Sequence, residues 1–126
     1  MLLYKIMATA AAALSALGAV GSALLCVGHL GVDVPVLSAF SPGGGGTVPA
    51  AAVVFAVAAL AYGAVAAGAL RRTAWAWPAG VVFHGLAVLS GAGNYRGAAS
   101  GVGIALSLAA LAVLFAPAGR RALRRG

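Results

Sequence analysis

The sequence predicts an all-α membrane protein: four transmembrane helices in a bundle packed through small residues. Three observations carry that prediction. Hydrophobic residues make up 63% of the chain and charged residues only 7%, against about 45–50% and about 25% in soluble domains. A single acidic residue, Asp33, stands among 126 positions, so no water-facing shell can be built, and a mean hydropathy of +1.09 equally excludes an intrinsically disordered chain. The apolar residues also collect into four runs, each near the about 17–25 residues that cross a bilayer.

The runs cover residues 6–27, 50–70, 74–90 and 98–116. The first two are long enough to span outright, the fourth is adequate and the third sits at the short limit. They are rich in Ala and Leu and lack period-2 alternation, and an isolated strand would leave its backbone unsatisfied in lipid, so helices are expected. The first run also has a reading as a cleaved signal peptide, but it exceeds the about 7–15 apolar residues of a signal core.

Residues 28–49 form the long outer loop. Asp33 before Val34 and Pro35 predicts a short surface helix through Val36, Leu37 and Phe40, and the glycine run 43–46 predicts a flexible return. Thr47 with Pro49 reads as an N-cap and first-turn proline for the second span, and Thr73 with Pro78 as a looser version for the third. Trp75 and Trp77 beside Arg71 and Arg72 fit an interfacial aromatic belt. Pro117 and Gly119 are expected to stop the last span, leaving residues 117–126 as a basic cytoplasmic tail with Arg120, Arg121, Arg124 and Arg125.

Orientation follows from the eight basic residues. With the N-terminus inside, Lys5, Arg71, Arg72 and the four tail arginines share the cytoplasmic side and only Arg96 faces out, a strong positive-inside bias. The expected topology is therefore N-in/C-in, with the arginines and tryptophans as anchors. The same basic residues punctuate apolar runs rather than forming one face of a soluble module, so the net charge of +7 does not indicate nucleic-acid binding. A faint duplication relates Ala58-Ala59-Leu60-Ala61 before Arg71 to Ala109-Ala110-Leu111-Ala112 before Arg120.

With 34 alanines and 19 glycines, close backbone approach is the expected source of helix association, because lipid supplies little hydrophobic drive between helices. Gly18 and Gly21 mark the first span. Gly93, Gly97 and Gly101, each four apart, read as a glycine zipper entering the last span. These glycines fit packing within the chain or against another subunit.

Polar groups at membrane depth are the functional candidates. At about 1.5 Å per residue, His84, Tyr62, Ser15 and Ser107 each fall roughly 13–18 Å into their helices, near the midplane of a core about 30 Å thick. Such a layer is either a proton or solute path or a set of hydrogen bonds fixing helix register. Cys26, His29 and Asp33 would share one face of a continuing helix, a weak metal-ligand pattern that Gly28 and Gly31 are expected to interrupt. His29 and His84 differ in depth, which argues against a haem between them. No cofactor is expected. A single cysteine excludes an intrachain disulfide. The sequence holds no intramembrane carboxylate, phosphate-binding loop or nucleophile–base pair, so no enzymatic activity is expected.

Two segments, Arg71-Arg72-Thr73-Ala74-Trp75-Ala76-Trp77 and Pro117-Ala118-Gly119-Arg120-Arg121, carry a resemblance. On them the C-terminal half resembles small uncharacterised four-helix membrane proteins of high-GC bacteria and archaea, in which an arginine turn precedes a Trp-rich helix start and the last helix ends on proline and arginine. The likeness rests on common membrane-boundary features and implies no activity. Size and helix count are also similar to those of small multidrug carriers and fluoride channels. The membrane-embedded glutamate of the first and the Thr-Thr-Phe-Ser run of the second are both absent from this sequence. The expectation is a non-enzymatic, multi-pass protein of a prokaryotic plasma membrane, serving as an accessory or assembly subunit for a larger membrane-protein partner. The alternative is a small homo-oligomeric channel or transporter with a polar layer around His84.

Overall fold

A computed structural model describes residues 1–40 and 47–124; the glycine run 43–46 and Arg125 lie outside the described residues. Six helices follow one another: α1 Leu2–His29, α2 Pro35–Phe40, α3 Pro49–Leu70, α4 Ala76–Gly93, α5 Ala98–Phe115 and α6 Pro117–Arg124. Among the described residues there is no strand. Four helices, α1, α3, α4 and α5, are long and apolar enough to cross a membrane, so the all-α, four-span architecture expected from the sequence is the one observed.

The spans alternate in direction and form a ring. α1 packs on α3, α3 on α4, α4 on α5 and α5 on α1, with the α1–α3 interface the most extensive, which leaves α1 and α4 diagonally opposed. One end of the bundle gathers the start of α1, the α3–α4 turn and the end of α5. There a small-residue core of Ala8, Ala11, Ala12 and Ala69 closes with Leu114, Ala122 and Leu123. The buried residues follow helical spacing: Ala8, Ala11, Ala12 and Ser15 on α1, Tyr62, Val65, Ala66 and Ala69 on α3, Ala76, Gly80 and His84 on α4, and Ser107, Ala110 and Leu114 on α5. Large apolar side chains such as Leu17, Val57, Leu60, Leu86 and Leu89 point outward. That inversion is the arrangement expected of a lipid-facing bundle, where small residues let backbones approach.

Several boundaries differ from those read in the sequence, each for a local reason. α1 starts at Leu2 rather than residue 6, because Tyr4 and Met7 pack onto the basic-end core. α4 starts at Ala76 and continues to Gly93. Val48, not Thr47, occupies the N-cap of α3, with Pro49 opening its first turn and no side-chain cap bond.

Thr73 does not cap α4 either. Its hydroxyl donates to the Gly68 carbonyl at 3.0 Å, and its amide donates to the same carbonyl at 2.9 Å while the Arg72 amide donates to Ala69 at 3.0 Å. These bonds close a Schellman turn at the end of α3. Arg72 takes the left-handed position usually given to glycine, at φ 55°, a conformation costing about 1–2 kcal/mol. In the long loop, Leu37 of α2 lies over Gly28, where an added Cβ would stand 2.9 Å from its Cδ1. The Val48 amide donates to the His29 carbonyl at 2.9 Å, tying the loop's return to the end of α1.

The largest departure is the C-terminal segment. Residues 117–124 are not a plain tail. Ala116 is extended, at φ −55° and ψ 139°, as the residue before a proline favours, and Pro117 then opens α6. That helix folds back on α1 and α5, with Ala122 and Leu123 buried. Gly119 is required there, since a Cβ would collide with the Val113 carbonyl oxygen.

Candidate functional site

His84 projects from the buried stripe of α4 into the bundle centre, where 1% of its surface is exposed. Its Nε2 lies 3.1 Å from the Ser15 hydroxyl on α1, and its Nδ1 lies 3.4 Å from the Ser107 hydroxyl on α5. A neutral imidazole has one donor and one acceptor nitrogen, so one serine accepts and the other donates. Neither ring nitrogen is left over. The Tyr62 ring on α3 packs against the imidazole with centroids 5.0 Å apart, so this one side chain touches all three other spans.

Tyr62 is itself fixed on two sides. Its hydroxyl donates to the Phe83 carbonyl on α4 at 3.4 Å. Its ring lies over Gly18, where an added Cβ would sit 3.3 Å from ring carbons. Gly18 follows Ser15 by three positions and therefore shares its face, so α1 offers a hydroxyl to His84 and a flat surface to Tyr62. Gly80, one turn before His84, admits Leu114 and Val65, 3.1 and 3.3 Å from where its Cβ would be. The four polar residues expected to form one layer thus converge on one point, all buried, with both serines bonded to His84 and the Tyr62 ring packed against it.

The glycines divide otherwise. The zipper of Gly93, Gly97 and Gly101 does not form one helix face: Gly93 ends α4, Gly97 caps α5, and only Gly101 lies within α5. Nothing lies within 4 Å of a Cβ at Gly93 or Gly97, and at Gly101 a Cβ would meet the Tyr95 side chain, its hydroxyl at 3.3 Å. Gly97 is needed for its backbone, at φ +94°, where the chain reverses. Gly21 also faces open space. Close approach between α4 and α5 occurs instead at Gly91, whose Cβ would stand 2.8 Å from Ile104. Gly80 and Gly91 escape a search for glycines four apart; spacing from His84 would have found Gly80.

Cys26, His29 and Asp33 do not assemble into a metal site. α1 ends at His29, the chain turns at Gly31 with φ +86°, and Asp33 falls outside the helix. His29 Nδ1 donates to the Leu25 carbonyl at 2.7 Å and its ring stacks near Phe55 at 5.2 Å. Cys26 is a half-buried free thiol. Among the described residues no three His, Cys, Asp or Glu side chains are grouped to hold a metal.

The tryptophans do more than line a boundary. Trp77 donates from Nε1 to the Leu114 carbonyl at 2.9 Å and meets Phe115 edge to face at 6.2 Å. Trp75 is about half exposed and covers Gly68, where a Cβ would meet its ring at 2.7 Å. Arg71 and Arg72 flank that turn, and Arg120, Arg121 and Arg124 lie on α6 at the same end of the bundle. Compared with known proteins, the chain finds no match among family models, curated proteins or solved structures.

Proposed function

We propose that the chain is a non-enzymatic accessory or assembly subunit of a prokaryotic plasma membrane, with both termini cytoplasmic, that packs against the helices of a larger membrane protein. The observation that carries this reading is the closure of the polar layer: both His84 nitrogens are engaged by Ser15 and Ser107 within one chain. A transport path needs a polar group that water or solute can reach, and 1% exposure of His84 favours a register lock over a pore. The outer surface supports an assembly role, since uncovered glycines at positions 21, 63, 85 and 103 alternate with large apolar side chains such as Val20, Leu60 and Leu86. Small residues on an outer face permit close approach of a further helix. The basic end supports the cytoplasmic placement through the positive-inside rule.

Mild-detergent purification from its native membrane, followed by mass spectrometry of the intact assembly, tests the proposal. A larger membrane protein is expected at fixed stoichiometry. A homo-oligomer with no other polypeptide would overturn the accessory role and favour the oligomeric channel.

A further inference from the structure

Away from the His84 layer, the most ordered charged surface is α6. Its apolar side seats Ala122 and Leu123, each 1% exposed, on the basic-end core. Its other side presents Arg120, Arg121 and Arg124, all exposed. These three arginines and Pro117 line an open hollow of about 430 Å³. The Arg120 and Arg124 guanidinium carbons stand 5.4 and 4.8 Å from the centroid of the Trp77 ring, and that ring is held by its own hydrogen bond to Leu114. Cation–π contact thus places two guanidiniums over one fixed indole.

Three cations on one eight-residue helix repel one another unless an anion joins them. The only acidic side chain, Asp33, lies between α1 and α2 at the other end of the bundle, so no carboxylate side chain of this chain can serve. Lys5, Arg71 and Arg72 add positive charge at the same end. The hollow also lies where the last membrane-capable helix gives way to the arginine-rich α6. Phe115, half exposed and packed edge to face on Trp77, is the last residue of α5, two positions before Pro117 at the hollow.

We propose that Arg121, together with Arg120 and Arg124 held over Trp77, binds the phosphate of an anionic phospholipid whose acyl chains run along the bundle beside Phe115. Guanidinium forks match phosphate oxygens in bidentate geometry, and the adjoining apolar ring distinguishes a lipid from free phosphate. This site is independent of the assembly role proposed above.

The test uses the full chain in non-ionic micelles, with Trp75→Phe leaving Trp77 as the reporter. Titration with phosphatidylglycerol is expected to shift Trp77 emission at about a hundredfold lower concentration than phosphatidylcholine, since each basic residue near an anionic headgroup is worth about fivefold. Arg120→Gln/Arg121→Gln/Arg124→Gln should abolish the preference, Arg124→Gln alone should weaken it about fivefold, and Arg96→Gln at the opposite end should leave it intact. Should the triple variant lose its helical circular dichroism, the Arg124→Gln result decides. Equal response to the two lipids, a preference unchanged by Arg124→Gln, or the same shift from inorganic phosphate alone would overturn the proposal.

Discussion

Removing the imidazole at position 84 separates the bonds that close the bundle centre, and their worth can be bounded. His84 makes a 3.1 Å contact to Ser15 and a 3.4 Å contact to Ser107. Side-chain hydrogen bonds between membrane helices average about 0.6 kcal/mol and reach about 1.7 kcal/mol, and the shorter bond belongs in the upper part of that range. His84→Leu is therefore expected to cost about 1–3 kcal/mol, His84→Gln less because a donor and an acceptor remain, and Ser15→Ala about 0.6–1.7 kcal/mol. Once His84 is leucine, Ser15 has no partner across the bundle, so Ser15→Ala should then cost almost nothing. The cycle should give a coupling of about 0.6–1.7 kcal/mol. Reversible unfolding in bicelles, titrated with an ionic detergent and followed by Trp emission, measures all four proteins. Additive costs, agreeing within about 0.3–0.5 kcal/mol, would refute the claim that His84 and Ser15 hold α4 to α1.

The same unfolding assay separates the glycines: Gly18→Leu should lose about 1–3 kcal/mol because the Tyr62 ring occupies that space, while Gly21→Leu should change little. Gly97→Ala should cost about 1–3 kcal/mol through its backbone, where Gly93→Ala should not; equal costs in either pair would contradict the packing described. Trp77→Phe removes the bond to the Leu114 carbonyl and weakens the seat of α6, so limited trypsin digestion after Arg120, Arg121 and Arg124 should accelerate several-fold, and an unchanged rate would mean that α6 docks without it. Reporters fused to the two termini should both read as cytoplasmic, and one inserted near Gly44 as external; termini on opposite sides would break the even number of spans.

The four membrane-capable helices are legible because length and apolarity alone set them, and a rise per residue puts Ser15, Tyr62, His84 and Ser107 at one level, where they meet. Which faces meet was not legible from hydropathy, because these helices are apolar all round. The information lay instead in where the small and polar residues recur: Ala8, Ala11, Ala12 and Ser15, or Ala76, Gly80 and His84, repeat at helical spacing and are the buried stripes. The glycines 93, 97 and 101 are equally spaced through a turn, and Gly97 sits at the reversal, where spacing along the sequence no longer means a shared face. In the C-terminal segment, Pro117 and the run of charge point to a tail, whereas residues 117–124 form a docked helix. Its amphipathic pattern, Ala122 and Leu123 opposite the arginines, is local and readable; its seat, with Leu123 buried and the Trp77 ring under Arg120 and Arg124, is tertiary and is not.

The central claim is that the polar layer locks the bundle and does not conduct. Flux across proteoliposomes reconstituted with the full chain tests it most directly, using pH-sensitive and ion-sensitive dyes for protons, sodium, potassium and chloride. The account predicts that vesicles holding the wild-type protein leak no faster than empty vesicles, and that His84→Gln behaves the same. Flux above the empty-vesicle level that disappears in a folded His84→Gln variant would contradict it.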